Sequence, residues 1–378
     1  MTDVVIAAYR RSPFHFAGKG DLARVRPDEL VAQVMRALLA ESKADPAAIE
    51  DVVMGCAFPE GEQGLNIARL ASFLAGLPQA AGGVTVNRFC GSSMSAVHIA
   101  AGQIQLGAGE VFICAGVESM SRVPMMGFNP LPNPELAKKS AAYMGMGDTA
   151  ENVATKYQIT RAQQEAFAVA SQDKAAAAVA AGKLKDEIVP IATKAGPVDA
   201  DGTPRAGTTA EALAGLKPAF SQDGTVTAGT SSPLTDGASA VLVASEEYAR
   251  AHGLPILARI KAVAISGCQP EIMGIGPVEA SRKALKRAGL TVDQLDVVEL
   301  NEAFASQSLA CIGDLGLDPA KVNIDGGAIA IGHPLGATGA RIVGKAAALL
   351  GREGGKYALA TQCIGGGQGI ATILEAVE

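Results

Sequence analysis

The sequence predicts an α/β protein made of two similar halves, with an extra segment inserted in the first half. Strand-like apolar runs alternate with helical stretches along most of the 378 residues, which is typical of mostly parallel sheets buried on both faces. Three structural units recur in the same order near the two ends of the chain, which indicates an internal duplication. The middle of the chain breaks the alternation, because residues 118–232 are rich in Pro, Met and Ala.

The elements follow from the spacing of the apolar residues. Apolar runs predict strands at 3–8, 51–57, 84–88, 111–116, 240–244, 256–265, 296–300, 322–325 and 357–361. Helical periodicity predicts helices at 27–42, 63–75, 92–106, 277–288 and 337–350. A further long helix is predicted to begin at Thr160, because Thr160 and Gln163 have the spacing of a capping box and strong helix formers follow.

The duplication rests on three pairs of segments. Each pair shares its pattern of apolar, turn and helical residues, and the pairs occur in the same order: 44–55 with 291–301, 84–101 with 322–344, and 109–120 with 355–366. Chance similarity between βα units is the alternative. A true duplication would direct the glycine-rich turns of both halves towards a shared interface.

Composition argues against several classes of protein. The net charge of −6 and the lack of a long Lys/Arg run disfavour nucleic-acid binding. No apolar stretch is long enough for a membrane span, and the N-terminal run MTDVVIAAYRRSPF predicts a strand rather than a signal peptide, so we expect a cytoplasmic protein. The six cysteines include no C-x-x-C pair and the four histidines lie outside zinc spacings, so we expect free thiols and no metal site.

Cys90 is the first candidate for chemistry. It lies in VNRFCGSSMSAV (86–97), where a strand ends, a helix begins and the residues at 91–93 are small. The N–H groups and the dipole at a helix N-terminus favour a thiolate, and small neighbours leave room for a substrate. We interpret Cys90 as a nucleophile; a buried cysteine at a tight turn is the alternative.

His333 is the second candidate. It lies in GGAIAIGHPLGATGAR (326–341), which the duplication pairs with the Cys90 turn. At that place it could receive the thiol proton and form a Cys/His pair. A purely structural histidine is the alternative.

Two later motifs add further candidates. In TQCIGGGQGIA (361–371), glycines allow a substrate to approach the backbone, so the N–H of Gly365 could stabilise an oxyanion and Cys363 could serve in acid–base chemistry. A small buried residue is the alternative for Cys363. In ELNEAFA (299–305), Asn301 could hold a water or polarise a carbonyl, whereas a helix N-cap is its alternative role.

The four side chains singled out above, with their surrounding motifs, closely resemble the thiolase family. VNRFCGSSMSAV, NEAFA, GGAIAIGHPLGATGAR and CIGGGQG occur in the family's order, and the resemblance covers essentially the whole chain. It implies an α/β thiolase fold, five-layered αβαβα, of two duplicated halves with an inserted loop domain. The expected domains are an N-terminal half of 1–117 and 233–254, a CoA-binding loop domain of 118–232, and a C-terminal half of 255–378.

The resemblance also implies roles for the site residues. Cys90 would be the nucleophile that is acylated on its sulfur, and His333 would activate it. His333 and a water held by Asn301 would bind the oxygen of one thioester carbonyl, while the N–H groups of Cys90 and Gly365 would stabilise the other oxyanion. Cys363 would move the proton to or from the acetyl α-carbon and CoA.

By the same resemblance, coenzyme A is a substrate, no cofactor is bound permanently, and the chain forms a homodimer or a homotetramer of paired dimers. Contacts with CoA are implied for Arg205, Phe220, Ala228, Ser232, Leu234, Met146, Met273 and Phe304. Arg205 would meet a CoA phosphate. Four methionines of the loop domain either line an acyl tunnel or fill the core: Met125, Met126, Met144 and Met146.

Individual residues within the motifs bear on the subtype of thiolase that the chain resembles. Many biosynthetic thiolases carry His-Met-Gly where this chain has Gly-Met-Gly at 145–147, whereas TAGTSSPLTDG (227–237), Arg88 and Gln368 are nearer to the degradative branch. We therefore expect thiolytic cleavage of 3-ketoacyl-CoA in fatty acid β-oxidation. The alternatives are an acetoacetyl-CoA thiolase, a decarboxylating ketoacyl synthase, which would carry a second histidine at the place of Cys363, and a non-catalytic CoA-binding relative.

Overall fold

The computed structural model describes residues 2–377; residues 1 and 378, at the outer ends of the two predicted halves, lie outside the described part. Its strands are β1 (Val4–Arg11), β2 (His15–Phe16), β3 (Ile49–Gly55), β4 (Gly82–Val86), β5 (Val111–Ser119), β6 (Ile191–Thr193), β7 (Gly196–Val198), β8 (Thr235–Ser245), β9 (Ala258–Gly267), β10 (Val297–Leu300), β11 (Tyr357–Ile364) and β12 (Gln368–Glu375). Its α-helices are α1 (Pro27–Ser42), α2 (Ile67–Leu74), α3 (Ser92–Gln105), α4 (Pro134–Lys139), α5 (Met146–Lys156), α6 (Arg161–Ala180), α7 (Ala210–Ala214), α8 (Glu246–Ala251), α9 (Gly276–Ala288), α10 (Ala305–Leu315), α11 (Ala328–Ile331) and α12 (Leu335–Glu353).

The main sheet is mixed. Its strand order is β10–β11–β12–β9–β1–β8–β5–β3–β4, with β2 added beside β8. The expectation of mostly parallel sheets is wrong: β3–β4, β3–β5 and β10–β11 are parallel, but the other pairs of this sheet are antiparallel. The physical reason is clearest at β12, a strand missing from the prediction. A short turn joins it to β11, and so short a connection can only join antiparallel strands.

The predicted strand at 322–325 is also absent. Only Val322 makes a strand-like bridge, to Val298. Asn323 has a positive φ of 45° and turns the chain away. Its side chain replaces the missing strand, because Oδ1 accepts from the N–H of Leu300 at 2.9 Å and Nδ2 donates to the carbonyl of Leu300 at 2.8 Å.

The sheet confirms the internal duplication. In the first half the order is β4–β3–β5–β8–β1; in the second half the Val322 bridge, β10, β11, β12 and β9 follow in the same order and with the same strand directions. The equivalent strands β1 and β9 meet in antiparallel fashion at the centre, as a twofold relation requires. The residue boundaries expected for the three domains stay a prediction.

Three hydrophobic cores divide the molecule into five layers. The first packs α1 and α2 on the outer face of the first half-sheet. The second packs α3 and α12 between the two half-sheets, and the third packs α9 and α10 on the outer face of the second half-sheet. The layers are therefore αβαβα, as the fold class requires.

The inserted segment is mostly helical. The long helix α6 begins directly after Thr160, and the predicted capping box is confirmed: Gln163 N–H donates to Thr160 Oγ1 at 3.3 Å, and Thr160 N–H donates to Gln163 Oε1 at 2.8 Å. The segment is tied to the second half by Ser171 Oγ, which donates to Glu302 at 2.7 Å. Within residues 2–377, all six cysteines are free, no helix is long and apolar enough to cross a membrane, and no cluster of ligands could hold a metal ion.

Glycines allow the two central helices to touch. A Cβ atom on Gly339 of α12 would lie 2.2 Å from the backbone nitrogen of Met94 in α3. A Cβ on Gly116 of β5 would lie 2.2 Å from the carbonyl oxygen of Gly336, at the start of α12. Since backbone atoms cannot move aside as a flexible side chain can, the Gly339 contact sets the distance between α3 and α12, and the Gly116 contact sets the distance between β5 and α12.

Replacing Gly339 tests this close packing. Gly339→Ala should lower the free energy of unfolding by about 2–3 kcal/mol, because the helices must separate to admit the methyl group. Gly351→Ala is the matched control in the same helix, since nothing lies within 4 Å of its Cβ position; it should be neutral or stabilising by up to about 1 kcal/mol. Thermal unfolding followed by circular dichroism measures both, and equal melting temperatures for the two variants would contradict the packing argument.

Candidate active site

A cleft of about 910 Å³, part of it open to solvent, lies where the turns before α3 and α12 meet the hairpin between β11 and β12. Its walls are mainly apolar. The structure brings four of the five predicted catalytic residues into its lining: Cys90, His333, Cys363 and Gly365. The fifth, Asn301, is buried behind His333.

The local backbone leaves Cys90 in a tight turn at the start of α3. A single 3-10 turn surrounds Cys90 and continues into the helix, and Phe89 before it has a positive φ of 43°. A Cβ atom on Gly91 would lie 2.5 Å from Cδ1 of Ile364, so glycine keeps the turn close to β11. The N–H groups of Gly365 and of Cys90 itself point towards the Cys90 sulfur.

The Cys90 thiol is protonated in the free protein. Burial raises its pKa to about 12, although the N–H groups of Gly365 and Cys90 act to lower it; the charge of Glu118 adds to the rise. The expectation that the helix terminus favours a thiolate is therefore wrong, because desolvation outweighs the N–H groups. A base must remove the proton before the sulfur can attack.

His333 lies in the same cleft and is the candidate for that base. Its Nδ1 lies 2.6 Å from Thr338 Oγ1, and this hydroxyl also donates to the carbonyl of Pro334 at 3.2 Å. The network is satisfied with the proton on Nδ1, so Nε2 carries the lone pair and accepts from Asn301 Nδ2 at 3.4 Å. Burial, with a smaller effect of Arg341, lowers the pKa of His333 to about 3, so the imidazole is neutral near pH 7.

Asn301 is held as a buried amide rather than as a helix cap. Helix α10 begins only at Ala305, which rules out the N-cap alternative. The backbone N–H of Asn301 donates to the carbonyl of Thr361 at 3.0 Å. Its side-chain Oδ1 is buried and has no hydrogen-bond partner within residues 2–377. A buried amide with an unused oxygen can hold a water or a substrate group.

The hairpin after β11 carries the second thiol. Cys363 is 1% exposed, and burial raises its pKa well above the usual range, with Cys90 adding to the rise. Two side chains tie this hairpin to the Cys90 turn. Gln362 Nε2 donates to the carbonyl of Cys90, and Arg88 donates to Gln368 Oε1 at 2.9 Å. These contacts hold the hairpin that carries Gly365 beside the Cys90 turn.

Comparison with known proteins identifies the family. Residues 4–247 match the model of the thiolase N-terminal domain, and residues 254–376 match that of the thiolase C-terminal domain. The chain belongs to the thiolase family. As a thiolase it is an acyltransferase.

The similarity to known proteins extends over essentially the whole chain. It is 47% identical over 389 residues to a 3-ketoacyl-CoA thiolase of Bacillus subtilis (strain 168), covering 99% of this chain and 100% of that relative. It is 50% identical over 394 residues to a 3-ketoacyl-CoA thiolase of Shewanella denitrificans, covering 100% of both chains. Human mitochondrial 3-ketoacyl-CoA thiolase, solved in complex with CoA, superimposes with a TM-score of 0.92 at 39% identity, over 100% of this chain and 98% of that chain.

Glu118 is a residue of this thiolase site that the sequence interpretation missed. Its buried carboxylate accepts from the N–H of Ala57 at 2.8 Å, from the N–H of Gly336 at 2.9 Å and from Gln63 Nε2 at 2.9 Å. It thereby joins the loop after β3 to the start of α12, just beyond His333. The sequence does carry a signal for this residue, because Glu118 is an acidic residue at the end of an apolar strand. A carboxylate at such a place is buried at high cost unless it is hydrogen-bonded, as it is here.

The residues expected to contact CoA fall into two groups. Five line the cleft: Met146, Ser232, Leu234, Met273 and Phe304. Phe220 does not line the cleft, but its ring packs edge-to-face against the lining residue Phe304 at a centroid distance of 5.9 Å. Arg205 and Ala228 are exposed and lie outside the lining. The guanidinium of Arg205 makes no ion pair within residues 2–377.

The methionines of the inserted segment belong to the cleft. The two alternatives for them were tunnel and core, and all four line the open space: Met125, Met126, Met144 and Met146. Sequence interpretation missed other apolar lining residues, among them Phe58, Met120, Tyr143 and Leu335, because they come from separate segments that only the fold brings together. The cleft is thus lined by flexible thioethers and rigid rings.

The pKa shifts predict how the site responds to pH. His333 should stay neutral from about pH 5 to about pH 8, because its pKa is lowered to about 3, whereas a free histidine titrates near pH 6.5. The rate of Cys90 alkylation by iodoacetamide should keep rising beyond about pH 9, because the raised pKa shifts formation of the thiolate to higher pH. The alkylation rate of an ordinary thiol levels off there. NMR of the His333 ring and peptide-resolved mass spectrometry measure these two effects. A His333 titration near pH 6.5, or an alkylation plateau near pH 9, would contradict the burial argument.

Proposed function

We propose that this thiolase cleaves 3-ketoacyl-CoA with CoA, giving acetyl-CoA and a shortened acyl-CoA. The observation that carries the proposal is that two thiols, Cys90 and Cys363, share one apolar cleft with the neutral His333, while the Gly365 N–H points to the Cys90 sulfur. Thiolysis needs one sulfur to hold the acyl group. It also needs a second group that gives a proton to the departing acetyl-CoA fragment and takes one from the incoming CoA. The names of the bacterial and human relatives support the choice of a 3-ketoacyl substrate.

The first step forms the acyl-enzyme. His333 Nε2 takes the thiol proton while the Cys90 sulfur bonds to the ketone carbon C3 of the substrate. The N–H groups of Cys90 and Gly365 stabilise the resulting oxyanion. When the tetrahedral intermediate collapses, the C2–C3 bond breaks and the acyl group stays on the Cys90 sulfur.

The second thiol completes the proton transfers. The departing fragment is the enolate of acetyl-CoA, whose oxygen is stabilised by protonated His333 and by a water on Asn301. Cys363 enters this step as a thiol, because burial raises its pKa, and gives its proton to C2. The Cys363 thiolate then takes the thiol proton of the incoming CoA. The CoA sulfur attacks the acyl-Cys90 thioester, and His333 returns its proton to the Cys90 sulfur as the shortened acyl-CoA leaves.

The inserted segment is proposed to bind CoA. Its residues Met146 and Ser232 line the cleft beside Phe304 of the second half, so the pantetheine arm would run between the inserted segment and the second half. The exposed Arg205 guanidinium would meet a phosphate further out. CoA enters and leaves as a substrate in this scheme, with no permanently bound cofactor. A cytoplasmic role in fatty acid β-oxidation belongs to the same proposal and is supported by the bacterial relatives.

We further propose that the chain forms a homodimer, which pairs into a homotetramer. Strand β4 lies at the end of the sheet, so one side of its backbone has no strand partner within residues 2–377. Large apolar side chains are exposed around it: Val84 is 39% exposed, Leu65 88% and Phe73 48%. An unpaired edge flanked by exposed apolar residues supports pairing with a second copy.

The activity is tested by CoA-dependent loss of 3-ketoacyl-CoA absorbance with acetoacetyl-CoA, 3-ketooctanoyl-CoA and 3-ketohexadecanoyl-CoA. Cleavage of the two longer substrates is expected. Cys90→Ala should lower kcat by at least about 10⁴-fold, because no acyl-enzyme can form. Asn301→Ala should lower kcat by about 10²–10³-fold through loss of one oxyanion partner.

Three outcomes would redirect the proposal. Turnover confined to acetoacetyl-CoA would favour acetyl-CoA C-acetyltransferase activity. Release of labelled CO₂ from a malonyl thioester would favour a decarboxylating synthase. Unchanged turnover in Cys90→Ala, with CoA binding intact, would remove Cys90 as the nucleophile.

The dimer is tested by charging the β4 edge. Val84→Lys should weaken self-association at least about tenfold, because a lysine on the shared edge would be buried against its own copy. Val179→Lys is the matched control, since Val179 is equally apolar and 51% exposed on α6, away from β4. Sedimentation velocity measures both, and an assembly unchanged by Val84→Lys would exclude β4 from the interface.

A further inference from the structure

Glu118 is a buried carboxylate that receives hydrogen bonds from two separate parts of the chain. It is 1% exposed and lies near the end of β5. On one side it accepts from the backbone N–H groups of Ala57 at 2.8 Å and Phe58 at 3.3 Å, in the loop after β3. On the other side it accepts from the N–H of Gly336 at 2.9 Å, in the first turn of α12. One side chain therefore joins the loop after β3 to the start of α12.

The partners of Glu118 indicate that its carboxyl group is ionised. A protonated carboxyl needs an acceptor for its own hydrogen, whereas backbone N–H groups and the Cys56 thiol, 3.8 Å away, donate. Gln63 Nε2, at 2.9 Å, is also a donor, because the oxygen of this amide accepts from the N–H of Ser119 at 2.6 Å. Burial raises the pKa of Glu118, but the hydrogen bonds act to lower it. Among residues 2–377 it has no ion-pair partner, so hydrogen bonds alone hold this negative charge.

The Glu118 carboxylate replaces a cap that helix α12 lacks. Pro334, the N-cap residue of α12, makes no side-chain cap hydrogen bond. The N–H groups at a helix start favour a negative charge, and Glu118 provides it from a position 218 residues earlier in the chain than Gly336. A Cβ atom on Gly336 would lie 2.8 Å from Glu118 Oε2, so glycine permits this approach. Because His333 lies directly before Pro334, the carboxylate anchors the chain next to the candidate base.

The same carboxylate anchors the apolar wall around Cys90. Cys90 is buried in a small cluster with Ala57 and Leu335, and Phe58 packs against this cluster. Glu118 binds the backbone N–H groups of Ala57 and Phe58 directly. It also binds the N–H of the residue that follows Leu335. The wall around Cys90 is therefore held in place through its backbone.

We propose that Glu118 is a positioning residue for acyl transfer, whose ionised carboxylate holds the wall of the cleft around Cys90 and the helix start next to His333. The inference rests on the proposed function, because it concerns the step in which the Cys90 sulfur attacks C3 of the substrate. Glu118 does not line the cleft, so it acts through the backbone that it binds. The attack needs close alignment of sulfur, base and carbonyl, and a misplacement of about 1 Å can lower a rate about 10²-fold.

The charge of Glu118 has an effect of its own on Cys90. Ionisable groups around Cys90 come from separate elements: its own turn carries Arg88, whose guanidinium is bound by two neutral side chains, the start of α12 carries His333, β11 carries Cys363 and β5 carries Glu118. The imidazole and the second thiol are neutral in the resting protein, whereas Glu118 adds to the rise of the Cys90 pKa. Removing this charge should therefore ease formation of the thiolate, while removing the anchor should slow acyl transfer.

Two replacements separate the charge from the contacts. Glu118→Gln keeps the length of the side chain, but it removes the charge and turns one acceptor into a donor that faces N–H groups. Glu118→Asp keeps the charge but withdraws the oxygens by one methylene group. Asp296→Asn is the matched control, because the Asp296 carboxylate also accepts from two backbone N–H groups, of Lys356 at 2.6 Å and Tyr357 at 3.1 Å, but at the opposite end of β11 from Cys363.

Glu118→Gln should lower kcat for 3-ketooctanoyl-CoA about tenfold to 100-fold and change KM less than about threefold, because the reacting groups are misaligned while the binding surface stays. At pH 8, alkylation of Cys90 by iodoacetamide should become about threefold to tenfold faster in this variant, since a lower pKa raises the thiolate fraction by the same factor. Glu118→Asp should also lose kcat, but its alkylation rate should stay near that of the wild type. Asp296→Asn should match the wild type in both measurements.

An unchanged kcat in Glu118→Gln would overturn the inference. So would alkylation that accelerates equally in both Glu118 variants, because loosened packing alone produces that result. Rates are taken only from protein whose circular dichroism spectrum shows that it is folded. If Glu118→Gln does not fold, an unchanged kcat in Glu118→Asp overturns the inference instead.

Alkylation needs no substrate, so it separates this inference from the proposed function. If the wild type cleaves no 3-ketoacyl-CoA but alkylation of Cys90 accelerates in Glu118→Gln alone, the proposed function fails and the hold of Glu118 on Cys90 stands. If the wild type cleaves 3-ketoacyl-CoA and neither kcat nor alkylation changes in Glu118→Gln, the inference fails alone.

Discussion

The close packing of α3 against α12 is the constraint on which the rest of this thiolase depends. Each half of the chain contributes one of these helices, and each helix begins directly after a turn that carries a candidate catalytic residue, Cys90 before α3 and His333 before α12. Because Gly339 lets the α12 backbone approach Met94, the two helix starts lie at the same end of the central layer. The presence of Cys90 and His333 in one cleft is therefore a product of helix packing, and a change in that packing would move the two turns apart.

Buried polar contacts fix what the packing leaves free. Glu118 binds N–H groups from the loop after β3 and from the start of α12, which fixes the start of α12, directly after His333, against the end of β3. Deeper in the same layer, Arg341 pairs with Glu299 at 2.8 Å. A buried ion pair contributes little net stability, but leaving either partner alone would be costly, so such contacts restrict the number of ways in which the two halves can be joined.

Desolvation keeps the candidate catalytic groups uncharged. Burial raises the pKa of both active-site thiols and lowers that of His333. A site built in this way holds no ion pair in the resting protein. Charge develops only when a substrate is bound and its carbonyl oxygen becomes negative. The N–H groups of Cys90 and Gly365 lie beside the sulfur to which the substrate carbon would bond. The apolar cleft thus favours acyl transfer and disfavours a permanently reactive thiolate.

The sequence by itself determined the α/β class, the duplication, the capped helix α6 and the candidate residues Cys90, His333 and Cys363, because each depends on local patterns of a few neighbouring residues. The αβαβα layers were implied only by the resemblance to the family. Only the tertiary structure decided the antiparallel pairs of the sheet, the replacement of a strand by Asn323 and the burial of Glu118. These features depend on contacts between segments far apart in the chain. The direction of the Cys90 pKa shift belongs with them, since a helix terminus can be read from neighbouring residues but the loss of water around a sulfur depends on everything that packs over it.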